Sequence, residues 1–150
     1  MKKLERYLIE AKKHIDMIND ARNELAFEKI SLETFKRFSK IQLFSCEVII
    51  FRFAKLQDLI GNKLFRSFLY YDGYIVQDKS YFEILKEIEN SGIIDIDRWT
   101  ILRKVRNSIS HEYPEDESEK IEHLNMILKE IDYLFEIVEN IKRKYEINRG

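Results

Sequence analysis

Eight consecutive residues, Arg106-Asn107-Ser108-Ile109-Ser110-His111-Glu112-Tyr113, bring together the side chains that phosphate chemistry needs. Arginine offers a planar, permanently charged fork to phosphate oxygens. Histidine is the side chain best suited to moving a proton near neutral pH. Tyrosine adds a hydroxyl that can act as nucleophile or accept a modification. The charge pattern turns over at the same place. Arg98 to Ser110 contains no acidic residue, and Glu112 to Glu122 is mostly acidic. A boundary this sharp predicts a change of element at the motif.

Helical geometry orders these residues further. At about 100° per residue, Ile101, Leu102, Val105 and Ile109 share one arc, the predicted core face. Arg103, Arg106, Asn107, Ser110 and His111 are predicted on the opposite arc, as a polar face available for a site. Arg106 and His111 stand about 140° apart on an ideal helix, so they do not meet within one straight helix. Either the helix ends near His111 and the imidazole swings back, or the two residues meet across a twofold dimer.

The elements that must carry this motif are helices. The chain has 150 residues, enough for one ordinary domain, with 45% hydrophobic and 35% charged residues. One proline and four glycines leave few breakers in a sequence rich in Leu, Ile, Lys and Glu, which predicts an all-α fold. A first helix is expected from about Lys3 to Ala26, on the apolar stripe Leu4, Tyr7, Leu8, Ala11, Ile15, Ile18 and Leu25. Ser31, with Thr34 close behind, is a candidate cap for a long second helix, about Leu32 to Tyr71. Asp72-Gly73 stops that helix, and Gly61 either kinks it or admits a close neighbour. Ser80 caps a short third helix, Tyr81 to about Asn90, which stops at Ser91-Gly92. Ile93 to Ile96 reads as a connector. Asp95 or Asp97 caps the motif helix, about Arg98 to His111, and Pro114 ends it. The acidic residues after Pro114 start a last helix running to about Tyr145. The expected architecture is an antiparallel up-down bundle of four main helices plus a short extra one, in a single domain over residues 1–150.

Bulk properties narrow the function classes. A formal net charge of −1 excludes nucleic-acid binding held by overall charge, so any RNA contact needs a local basic patch. No stretch has the uncharged length needed to span a bilayer, and the amino terminus lacks the apolar run of a signal peptide. A soluble, cytoplasmic protein is the expectation. The single cysteine, Cys46, cannot form an intramolecular disulfide and sits among apolar residues, which predicts a buried, inert thiol. His14 and His123 are isolated, and no Cys, His or carboxylate spacing predicts a metal site. In the segment Phe51 to Asp58, Arg52 and Lys55 either extend a phosphate-binding groove or form ion pairs. For the pairs, the candidate partners are a glutamate of the last helix and, for Lys55, Asp58. Tyr113 is either a packing residue or a functional hydroxyl.

The pattern Arg106-Asn107-x-x-x-His111-x-Tyr113 resembles the signature of HEPN domains. It is most similar to HepT-like toxins paired with small nucleotidyltransferase antitoxins of the MNT type. The resemblance covers the motif tightly and the helical layout loosely. It implies a dimeric, metal-independent endoribonuclease without cofactors, in which Arg106 and His111 are catalytic and Asn107 supports them. Arg103, Ser110, Arg52 and Lys55 are then candidate RNA contacts. It also implies that Tyr113 is adenylylated by the partner enzyme. A second expectation keeps the fold without cleavage, as an accessory or substrate-binding subunit of a nucleotidyltransferase. A third is a purely structural helical interaction module.

Overall fold

The computed structural model describes residues 1–109 and 116–149. Ser110, His111, Tyr113 and Pro114 lie outside the described residues, and so do the expectations that rest on them. Within the described residues all regular structure is helical. No helix among them is long and apolar enough to cross a membrane. The elements are α1 (Lys3–Leu25), α2 (Leu32–Lys36), α3 (Lys40–Leu59), α4 (Phe65–Tyr71), α5 (Tyr81–Asn90), α6 (Ile96–Ser108) and α7 (Glu117–Arg149). A π-helical turn, Ile60–Leu64, joins α3 to α4.

Local chemistry sets most boundaries as expected. Ala26 ends α1 in the left-handed conformation, and its N–H donates to the Arg22 carbonyl. The Ser31 hydroxyl accepts the Thr34 N–H, Ser80 accepts that of Glu83, and Asp95 accepts that of Arg98. Of the two aspartates considered for the motif helix, Asp95 is the cap. Gly73 and Gly92 adopt φ of 93° and 78°, which an L side chain resists, and so terminate α4 and α5.

The expected long second helix is the main correction. It breaks after Lys36 and restarts at Ser39. The Ser39 hydroxyl accepts the Gln42 N–H, and the Gln42 carboxamide accepts the Ser39 N–H, a reciprocal cap that makes a new helix start favourable. Phe38, in the break, stacks with Phe27 and Phe35 at 5.9 and 5.6 Å between ring centres. The helix after the break changes phase again at Ile60–Leu64, where the Phe65 N–H reaches back five residues to the Ile60 carbonyl. The last helix also runs beyond its expected end, to Arg149.

Side-chain contacts order the long helices. Glu5 of α1 meets Tyr145 and Arg149 of α7, and Arg22 meets Asp132. His14 meets Arg52 of α3, and Lys63 lies over the Tyr7 ring. Thus α1 runs opposite in direction to both α3 and α7. The buried apolar residues of all seven helices belong to one core. Asn125 of α7 adds a polar anchor, exchanging two 2.8 Å hydrogen bonds with the Ile30 backbone.

The seat of α6 is specific. Trp99, fully buried, packs edge-on against Phe65 at 4.8 Å between ring centres. Its indole N–H donates to the Tyr81 hydroxyl at 3.0 Å. Both rings press on Gly61, where a Cβ would stand 3.0 Å from a Trp99 ring carbon and 3.0 Å from the Tyr81 oxygen. Gly61 therefore acts by admitting close neighbours, one of the two roles expected of it. Gly61→Ala will force one of these rings aside and destabilise the fold by about 1–3 kcal/mol, as overpacking does. Chemical denaturation measures this, and an unchanged midpoint would refute the close approach.

Candidate functional site

A polar cavity of about 130 Å3 opens where α3, the π-helical turn, the start of α5 and α6 meet. Gln57, Asp58, Asn62, Tyr81, Arg103 and Arg106 line it, with Asn107 beside them. Three of the sequence-predicted site residues, Arg103, Arg106 and Asn107, are thus brought together by the fold.

Arg106 is not on a free polar face. At about 100° per residue it falls between Trp99 and Leu102 rather than opposite them, so it sits at the margin of the core, with 23% of its side chain exposed. Its guanidinium donates through Nε and Nη2 to the two carboxylate oxygens of Asp58, both at 2.9 Å. The hydrogen bond to Asp58 raises the Arg106 pKa above its ordinary value, against a lowering by burial. The fork has five N–H donors, so donors remain beyond the two that Asp58 engages. The pair is locally neutral, and Arg103 supplies the cavity's net positive charge. Its guanidinium lies 4.6 Å from the centre of the Tyr81 ring. Burial pushes the Tyr81 phenol up, opposed by the Trp99 hydrogen bond.

Two further readings of α6 change. Ile101, expected in the core, is 46% exposed; the core arc is carried by Trp99, Leu102 and Val105. The helix begins at Ile96 rather than Arg98, and its register is set by the Trp99 seat. It ends at Ser108, with Ile109 as cap residue, before His111 is reached. His111, Ser110 and Tyr113 lie outside the described residues.

Arg52 and Lys55 do not line the cavity. Arg52 turns toward α1, with Nη1 3.2 Å from His14 Nδ1. Lys55 lies over the Phe51 ring at 5.5 Å. Asp58, considered as the partner of Lys55, is taken by Arg106 instead. Among the described residues no ion pair joins Arg52 or Lys55 to a glutamate of the last helix. A pair of reversed polarity joins the helices one turn earlier, between Lys120 and Glu47. Sequence reasoning missed Gln57, Asn62 and Tyr81 as cavity residues. Their only signal was position: Gln57 is an isolated polar residue in an apolar run, and Tyr81 directly follows a helix cap.

His14 is buried beside Arg52, and this burial, reinforced by the Arg52 charge, lowers its pKa. Cys46 is buried as expected, and desolvation pushes its thiol up to about 11. Among the described residues no group of three or more His, Cys, Asp or Glu side chains is placed to hold a metal ion. No family model, curated protein or solved structure matches this chain.

Two outcomes follow. The Asp58–Arg106 pair is bidentate but part-exposed, so solvent screening leaves it a modest coupling energy, about 1 kcal/mol. A double-mutant cycle with Asp58→Ala and Arg106→Ala, read by urea unfolding, measures it; strict additivity would refute the pairing. For His14, the folded imidazole titrates below its ordinary value of 6.5. The folded state then binds fewer protons than the unfolded chain. The associated stability is present above the ordinary value and is lost as pH falls toward and through the depressed one. His14→Gln will flatten the fall in unfolding free energy as pH drops through and below the ordinary histidine value of 6.5. An unchanged slope would refute the assignment.

Proposed function

We propose that this chain is a HEPN-type, HepT-like toxin: a metal-independent endoribonuclease neutralised by a nucleotidyltransferase antitoxin of the MNT type. The observation that carries the reading is the motif Arg106-Asn107-x-x-x-His111-x-Tyr113, whose first two members stand at a polar cavity beside the end of α6. An antiparallel four-helix HEPN-like architecture, a single domain and a cytoplasmic location belong to the same proposal.

The chemistry is internal transesterification. The RNA 2′-hydroxyl attacks the adjacent phosphorus, and the 5′-oxygen leaves. His111 serves as general base or acid for these proton transfers. Arg106 stabilises charge developing on the phosphoryl oxygens through donors that Asp58 leaves available. Asp58 holds the fork in one orientation, so little of its freedom is lost when the transition state forms. Asn107 orients the imidazole or the phosphate. The nucleophile is the substrate's own, so the mechanism calls for no cofactor. Arg103 is the RNA contact best supported by position. Arg52 and Lys55 are set aside for this role, because they do not line the cavity.

A homodimer is also proposed. Ile41, Phe44 and Phe51 leave an apolar stripe of α3 exposed, and its helical continuation through Lys55 reaches Asp58 at the cavity. A second copy covering that stripe brings two motifs together. Tyr113 is the proposed point of control: a nucleotide monophosphate attached there sets a negative phosphate to compete for Arg106.

One observation favours a second reading. The Arg106 fork is already engaged by a carboxylate, which weakens its pull on a substrate phosphate. That arrangement suits a non-catalytic accessory or substrate-binding subunit of a small nucleotidyltransferase.

Arg106→Ala and His111→Ala should each reduce RNA cleavage by at least about a hundredfold, the usual scale for a general acid–base or charge-stabilising group. Wild-type activity should survive chelator. Full activity in either variant, or a strict metal requirement, would refute the mechanism. Absence of cleavage by the wild type selects the accessory reading. Incubation with the partner nucleotidyltransferase and ATP should add nucleotide mass to the wild type and none to Tyr113→Phe; a mass gain retained in that variant would refute Tyr113 as the modified residue.

A further inference from the structure

The cavity beside Arg106 contains a feature that phosphate chemistry does not use. Gln57 is 5% exposed, yet its carboxamide makes no hydrogen bond within the described residues. The only fully enclosed, unpartnered side-chain polar atom among the described residues is Nδ1 of His123. The Gln57 amide is therefore not sealed in protein; it opens onto the cavity that it lines.

The neighbours define what can occupy this space. A carboxamide carries both donors and an acceptor, and so does the exposed amide of Asn62. The Asp58 carboxylate forms part of the wall. A second anion placed deep in the cavity faces that carboxylate, and a phosphate, having only acceptors, leaves the acceptor of Gln57 unanswered. A neutral group with both donors and acceptors along one edge answers both. The volume of about 130 Å3 is close to the roughly 150 Å3 of a cavity known to admit one benzene ring. The Arg103 guanidinium, already flat enough to lie over Tyr81, presents a planar cation of the kind on which bases stack.

We propose that this cavity is a nucleobase subsite that takes one unstacked pyrimidine, read along its edge by Gln57 and stacked through Arg103 and Tyr81. As a subsite for RNA it rests on the ribonuclease reading above, and it deepens that reading by giving the enzyme a base preference next to its catalytic arginine. By volume the space is nearer to a six-membered ring than to a purine. The same ring chemistry can come from an RNA strand or from a free pyrimidine nucleotide.

The test uses the full chain, with two kinds of probe. The first is a set of short RNAs identical except for one position beside the cleaved bond, which carries a pyrimidine, a purine or no base. The second is free uridine and cytidine monophosphate, followed by the fluorescence of Trp99. This is the chain's single tryptophan, hydrogen-bonded to the Tyr81 that lines the cavity. The wild type should cleave the pyrimidine RNA roughly tenfold faster than the abasic one, the scale of one good two-point base contact. Gln57→Leu should lose that preference, so that its rates on the pyrimidine and abasic RNAs become equal. Gln57→Met, which keeps the length without the amide, serves the same purpose if the leucine variant does not fold. Equal cleavage of all substrates by the wild type, or a preference kept in the folded variants, overturns the subsite and leaves the ribonuclease standing. If the wild type cleaves no RNA, the ribonuclease reading fails and the nucleotide titration decides. Saturable quenching by pyrimidine nucleotides that is lost in Gln57→Leu supports the subsite, with free nucleotide as its source. No quenching, or quenching unchanged by the substitution, overturns it.

Discussion

The contact of Trp99 and Tyr81 with the bare backbone of Gly61 is the constraint on which the site depends. Both aromatic groups come to where a side chain would otherwise stand, and the indole N–H and the phenol oxygen satisfy each other there. This contact fixes the distance of α6 from the π-helical turn between α3 and α4. It also fixes the rotation of α6, because Trp99 can enter the core in one orientation only. Every polar residue of that helix takes its place from this rotation. Arg106 is carried to the margin of the core opposite Asp58, while Arg103 and Asn107 are carried to the rim of the cavity.

The π-helical turn at Ile60–Leu64 serves the same end. One extra residue in a turn shifts the phase of everything after it, so α4 presents Phe65 to Trp99 while α3 still presents Asp58 to Arg106. Such turns are found often at functional sites because they let a single helix satisfy two registers. Here one register belongs to the core and the other to the polar cavity. The hydrogen-bonded start of α6 holds the helix lengthwise. Asp95 accepts the Arg98 N–H, while its own N–H donates to the Tyr133 hydroxyl at 2.9 Å, and Arg98 lies over the Tyr133 ring at 3.7 Å. The site is thus built on restrained helices rather than on loops, which favours a fixed geometry.

An arginine bound by a carboxylate can be read as a structural tie or as an oriented catalytic group, and the two are compatible. A bidentate pair restricts the guanidinium to one plane while leaving donors on its outer edge. With Arg106 neutralised by Asp58, Arg103 is the source of net positive charge at the cavity, and under the proposed reading an anionic strand would be drawn by that residue on the rim. A chain of formal charge −1 has no general attraction for RNA, and a local arrangement of this kind is what remains.

Features that depend on near neighbours in the chain were legible in the sequence. The all-helical class followed from the scarcity of breakers. The caps at Ser31 and Ser80, a cap for α6 at Asp95 or Asp97, the stops at Gly73 and Gly92 and the burial of Cys46 followed from local residue types, because capping is settled within three or four residues; the structure selects Asp95. The restart at Ser39 was equally local, since Ser39 and Gln42 form a recognisable reciprocal cap; it was overlooked because the apolar pattern ran through it. The motif residues from Arg106 to Tyr113 were also visible as types and spacings. What only the tertiary structure decided was where α6 points. Periodicity defines an apolar arc but not its margins: an arc drawn on Ile101, Leu102, Val105 and Ile109 omits Trp99, whose burial leaves Ile101 exposed and brings Arg106 to the margin of the core. Nor does spacing along the chain reveal partners 48 residues apart. Asp58 meets Arg106, and Gln57 faces the same cavity, because two helices far apart in sequence are pressed together by a core whose shape no single segment contains.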